Sequence, residues 1–196
     1  MTGYERRSLQ KRETILSISK ELFKRRGIEE ISMDEIAAEA HVSKVTIYKY
    51  FGSKETLVTE VVDVVLCAIL EEYDALFTSS RGFAEKLRAY VALRQKSIAE
   101  KDHFVVDQAC RLYSSLRGSV TRRQDQAIAY LLRLFSDGKR EGAVNRDVDD
   151  DLIALHFDVL MCYLRYNPES IGRLYADPEQ YKRYMTLFWS PIVNLE

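Results

Sequence analysis

Residues 45–51, VTIYKYF, consist almost entirely of β-branched and aromatic residues, the types that favour strands, and nothing else in the 196-residue chain offers a second strand to pair with. A lone strand would leave its backbone N–H and C=O groups without partners. The preference against helix is worth only tenths of a kcal/mol per residue, so the tertiary context overrides it. The segment is therefore expected to be a helix made of unusual residues, in a chain that reads as helix elsewhere.

Helical spacing begins near residue 6. Leu9, Ile15, Ile18, Leu22 and Phe23 share one face up to Arg26, and Gly27 is the natural stop. Ser32-Met33-Asp34-Glu35 has the capping-box pattern and opens a short helix with Ile36, Ala37 and Ala40 on its apolar side. After His41-Val42, Ser43 caps a helix from Lys44 to Phe51, and Ser53 caps a long one from Lys54 to about Phe77. Further helices are expected over about 83–100, 103–116, 120–141, 150–166 and 178–190. The last start is marked by Asp177-Pro178-Glu179-Gln180, an Asp cap with proline at the first helical position. All three prolines fall after residue 167, so none interrupts the earlier pattern. The expected fold is all-α, with about nine helices and no internal repeat.

The formal net charge of −1 excludes a polybasic nucleic-acid coat, but the charge is unevenly spread. Up to Lys54 there are 11 Lys and Arg against 8 Asp and Glu; the rest has 18 against 22. A basic front suits a surface that meets an anion. The longest apolar run, VVLCAIL at 64–70, falls far short of the about 20 residues of a membrane span. No signal-peptide pattern follows the N-terminal cations, so a cytoplasmic location is expected. Cys67, Cys110 and Cys162 are widely spaced in apolar helical contexts, as small buried hydrophobes in a reducing compartment would be, with a redox sensor as the alternative.

Residues 33–40, 41–43 and 44–51 form a helix-turn-helix in this reading. Ile47 and Phe51 lie four apart and, with Ile36, Ala37 and Val42, form the seam of the pair. Lys44, Thr46, Tyr48, Lys49 and Tyr50 are left over the other faces. Between His41 and Lys54 there are three lysines and no acid.

The strings ILSISKELFKRRGI (15–28), ISMDEIAAEA (31–40) and VSKVTIYKYFGSKETL (42–57) resemble the DNA-binding domain of the tetracycline-repressor (TetR) family of bacterial transcription regulators. The resemblance spans about the first third of the chain; beyond it, only the helix count and DGKREGAVNRDVDD (137–150) are similar. It implies a helix-turn-helix DNA-binding domain over 1–69, with the motif at about 32–51, and a ligand-binding and dimerisation domain over 70–196. Ser43, Lys44, Val45 and Thr46 would enter the major groove. There lysine can donate to guanine or phosphate, and Val45 and the Thr46 methyl can meet a thymine methyl. Tyr48, Lys49 and Tyr50 would reach phosphates, as would Lys54 at a helix start and Ser32 at its cap. His41 and Val45 stand where the family often has glycine.

The remainder holds no metal-ligand or catalytic spacing and no phosphate loop, so neither a metal, a cofactor nor an enzymatic activity is expected. The acidic run Asp147, Asp149, Asp150 and Asp151 suits a helix N-terminus. By resemblance, aromatic and polar residues of the middle helices would line an effector pocket, with His103, Asp107, Arg111 and His156 as candidates. The last two long helices would form the dimer contact through Leu152, Leu155, Val159, Tyr163, Tyr181, Tyr184, Met185, Phe188 and Trp189. The expected function is a ligand-responsive repressor that binds a palindromic operator as a dimer and is released by a small-molecule effector. The alternative is an effector-binding or protein-interacting helical dimer of the same fold without operator binding.

Overall fold

The computed structural model describes residues 2–167, 174 and 176–193. Among these residues nine α-helices follow one another. They are α1 (Gly3–Arg26), α2 (Met33–Glu39), α3 (Lys44–Phe51), α4 (Lys54–Phe77), α5 (Phe83–Ala99), α6 (Asp102–Leu112), α7 (Arg117–Glu141), α8 (Asp150–Tyr166) and α9 (Pro178–Trp189). The strand-like segment is α3. A 3-10 turn at Ser114–Leu116 separates α6 from α7, so the helix expected to run to residue 116 ends earlier and the next begins earlier. α1 starts at Gly3 because Thr2 and Glu5 close a capping box there. The only β feature among the described residues is an isolated bridge between Val144 and Val193.

The chain divides into two compact units, Met1–Ala68 with Glu100–Thr121, and Ile69–Ala99 with Arg122–Glu196. In the first, α1 to α3 and the start of α4 bury Ile15, Phe23, Ile28, Ile31, Ile36, Ile47, Leu57 and Val58 completely. Leu9, expected on the buried face of α1, is instead 49% exposed. α6 belongs to this unit, and three polar links tie it and the turn after it to the N-terminal helices. Gln108 Oε1 accepts the Ile28 N–H at 2.8 Å, Asp102 pairs with Lys24 at 2.8 Å, and Ser115 donates to Glu55 at 2.8 Å.

The second unit is built around aromatic rings. Tyr73, Tyr90, Phe135, Phe157, Phe188 and Trp189 are all buried and belong to one cluster. The Phe157 and Trp189 ring centroids lie 5.0 Å apart, and those of Phe135 and Trp189 lie 5.3 Å apart. In α9, Tyr181, Met185, Phe188 and Trp189 follow the spacing of one helix face, and that face turns inward. These four were expected at a contact between subunits. The structure corrects this: their side chains complete the core of their own chain and are not available to a partner.

Gly138 sits where α7 passes closest to its neighbours. A Cβ there would come within 2.6 Å of both Phe83 and Val144, each almost fully buried. Gly138→Ala is therefore expected to lower unfolding stability by about 1–3 kcal/mol. In urea denaturation this appears as a lower midpoint with an unchanged slope; an unchanged midpoint would show that the packing is not tight at this point.

Candidate nucleic-acid interface

The helix-turn-helix is assembled by local rules. Ser32 caps α2: its Oγ accepts the Glu35 N–H at 3.1 Å, and the Glu35 carboxylate accepts the Ser32 N–H at 2.8 Å. The Ser32 N–H and hydroxyl, both donating to the Glu35 carboxylate, hold it below its ordinary pKa, with a smaller contribution from Arg26. The turn is made by His41, whose φ of 53° lies in the left-handed region, and by Val42, whose N–H donates to Ala37 O at 2.9 Å. Ser43 then caps α3 by accepting the Thr46 N–H at 3.1 Å.

Ile47 and Phe51 point into the unit and are 0% and 3% exposed, against Ile36 and Ala37 at 0% and 3%. Val42, expected in the same seam, is only half-buried. The guanidinium of Arg12 lies 5.6 Å from the centre of the Phe51 ring and pairs with Glu60 at 2.5 Å. That clamps the C-terminal end of α3 against α1 and α4. Gly52, with φ 71°, then lets the chain turn directly into α4.

The remaining faces of α3 carry the predicted reading residues, and the structure distinguishes among them. Val45, Tyr48 and Lys49 project into solvent, Val45 at 77% exposure. Ser43 and Lys44 are exposed but engaged: Ser43 Oγ shares a hydrogen bond with Thr46 Oγ1 at 2.8 Å, and Lys44 Nζ is 2.8 Å from the Asp34 carboxylate. That carboxylate also raises the pKa of Lys44. Tyr50 is half-buried, with its hydroxyl 3.0 Å from Ser8 Oγ of α1, so it braces α3 as well as facing outward. Lys54 is half-buried at the start of α4 and reaches toward Glu29 O at 3.4 Å. Partial desolvation lowers its pKa, against the pull of Glu29 and Glu35. Ser8, Asp34 and Gln108 were not singled out in the sequence. Each acts across 10 to 80 positions, beyond the reach of local periodicity.

The four candidate effector residues do not form one site in either unit. His103, Asp107 and Arg111 follow one another at four-residue spacing on α6 in the first unit, on the side away from the buried Val105, Val106 and Ala109. His156 belongs to the second unit. Its ring stacks on Phe188 with centroids 4.1 Å apart, and Nε2 is 2.9 Å from Phe188 O, so it joins α8 to α9. A cleft of about 350 Å³ lies elsewhere in the second unit, lined by Ser79, Ser80, Arg81, Lys86, Asp137, Arg140 and Glu141. No group of three or more potential metal ligands occurs among the described residues. No described helix is long and apolar enough to cross a membrane.

Residues 15–61 match the family model for bacterial regulatory proteins of the tetR family, a span that runs from α1 through the turn and α3 into α4. The transcriptional repressor KstR2 of Mycobacterium tuberculosis is 26% identical over 147 residues, covering 73% of this chain and 74% of that protein. The fold is similar to that of a transcriptional regulator from Saccharomonospora viridis solved with choline, with a TM-score of 0.79 at 22% identity over 93% of this chain and 97% of the other. It is also similar to AibR, solved with isovaleryl coenzyme A and operator DNA, with a TM-score of 0.63 at 22% identity over 80% and 86% of the two chains. Residues 15–61 thus carry the DNA-binding domain of the tetR family, and the chain is a DNA-binding transcriptional regulator like the curated relatives it matches, whose named role is not enzymatic.

Proposed function

We propose that this protein is a repressor that binds a palindromic operator as a homodimer through α3 and is released when a small molecule occupies the second unit. The observation that carries this reading is the division of labour on α3. Two side chains, Ile47 and Phe51, are buried to hold the helix, and its solvent face carries Lys49, Tyr48 and Val45, which no packing requirement placed there. Lys49 and Tyr48 suit phosphate oxygens, and Tyr50 and Lys54, though partly engaged, border the same surface. The first unit is thus assigned to DNA binding, and the second to effector binding and dimerisation. A cytoplasmic location follows from the role.

Support for a dimer comes from α8. Leu152, Leu155, Val159 and Tyr163 recur at spacings of three and four, and all are more than half exposed; Leu187 of α9 is 70% exposed. An apolar stripe of this length on a helix is out of place in water and suits a second copy of itself about a two-fold axis. The same symmetry lets two reading helices address two half-sites.

The effector is assigned to the aromatic interior of the second unit in place of the four residues first considered. Among the described residues, Trp189 Nε1 and Ser97 Oγ are buried without a hydrogen-bond partner. A donor left unmet inside an apolar cluster, as Trp189 Nε1 is, suits a largely apolar ligand carrying an acceptor oxygen. Such a ligand shifts the regulator off DNA only if it favours the state that does not match the operator.

Two measurements test this reading. Operator affinity should fall steeply with salt, and Lys49→Ala should reduce the slope of log affinity against log salt by about 1 per subunit. Asp34→Asn removes a carboxylate beside the phosphates and should strengthen binding. Salt-insensitive association by the intact protein would favour the alternative, a helical dimer of the same fold without operator binding. Separately, Leu155→Glu with Val159→Glu should yield folded monomers in sedimentation experiments, with helicity unchanged; a persistent dimer would move the contact away from α8.

A further inference from the structure

The reading end of α3 offers one side chain that no polar partner engages. Ser43 Oγ is occupied by the Thr46 N–H and the Thr46 hydroxyl. Lys44 Nζ is occupied by Asp34 at 2.8 Å. Thr46 is half-buried. Val45, the second residue of the helix, is 77% exposed, the most exposed of the large apolar side chains among the described residues. Residues at this end of a recognition helix are those that reach base edges. The geometry points to Val45 as the residue through which α3 specifies the operator sequence, by contact of its isopropyl group with the C5-methyl of a thymine in the major groove. This inference rests on the operator-binding reading above.

The chemistry of the groove supports thymine. Its methyl is the apolar feature among the major-groove base edges; the others present acceptors or amino donors. An isopropyl group set against guanine, adenine or cytosine would displace water from a polar edge and return no hydrogen bond. Lys44 is the competing reader, since lysine can donate to guanine O6 and N7. To do so it must leave Asp34, whose side chain is 59% exposed and would then stand uncompensated beside the DNA phosphates. The arrangement favours keeping Lys44 on Asp34 and leaving the base edge to Val45. Thr46 also carries a methyl, but it sits one helical step away, with its hydroxyl tied to Ser43.

The test begins by selecting binding sites from random duplex DNA with the intact protein. The enriched site is then resynthesised with deoxyuridine replacing each thymidine in turn, which removes only the methyl group. At one thymine in each half-site the unaltered protein is expected to lose about fourfold in affinity, the worth of one buried methyl-sized group. Val45→Ser, which replaces the isopropyl group with a polar side chain, should bind the thymine and uracil sites equally. Val45→Ile should keep the discrimination, which separates loss of the contact from damage to the helix. Indifference to uracil at every position, or discrimination that survives in Val45→Ser, overturns the inference while operator binding stands. Failure to enrich any site overturns the operator-binding reading and this inference together.

Discussion

Everything the first unit presents to solvent rests on the burial of Ile47 and Phe51 against Ile36 and Ala37. α3 has eight residues, too few to persist alone in water, and its composition leans toward strand. Full burial of each of these side chains contributes about 1.5–3 kcal/mol, which exceeds the tenths of a kcal/mol per residue that the composition costs. The Arg12 guanidinium on the Phe51 ring and the Ser8–Tyr50 hydrogen bond secure the same helix from α1. With its fold guaranteed from the inside, the outer face of α3 is released from the need to favour a helix. It can carry β-branched and aromatic side chains chosen for what they touch.

Polar contacts in this unit work at two levels of strength. The buried end of the scheme is Gln108, which meets the N–H of Ile28 just after α1 ends and so fixes α6 in the unit. Removing such a partner leaves a shielded donor unmet, which costs more than the bond itself contributes. The Lys44–Asp34 pair is the opposite case, with both side chains more than half exposed. A pair of this kind contributes at most about 1 kcal/mol. It therefore does not hold the fold; it biases where Lys44 spends its time.

In the second unit, the same amphipathic logic leads to two different outcomes on adjacent helices. α9 turns its apolar face inward and closes the aromatic core with Phe188 and Trp189. α8 has enough apolar residues for two faces. Ile153 and Phe157 go to the core, while Leu152, Leu155, Val159 and Tyr163 remain outside. His156 lies between these faces, with its ring stacked on Phe188 and its Nε2 2.9 Å from Phe188 O.

The sequence by itself determined the helices, their caps and the buried seam. Period, capping residues and terminal glycines are local signals, and α4 and α8 run between the residues where those signals place them. The strand-like segment was legible as helix because it had no partner strand. The exposed face of α3 was legible too, since Ile47 and Phe51 account for one face and leave the rest. Only the tertiary structure decided which exposed groups are free. Asp34 takes Lys44, Ser8 takes part of Tyr50, and α6, with the turn and the start of α7 that follow it, joins the N-terminal helices. It also decided which apolar face of the last helices is core and which stays exposed. An apolar periodicity states that a face will be buried; the geometry of the whole chain states against what.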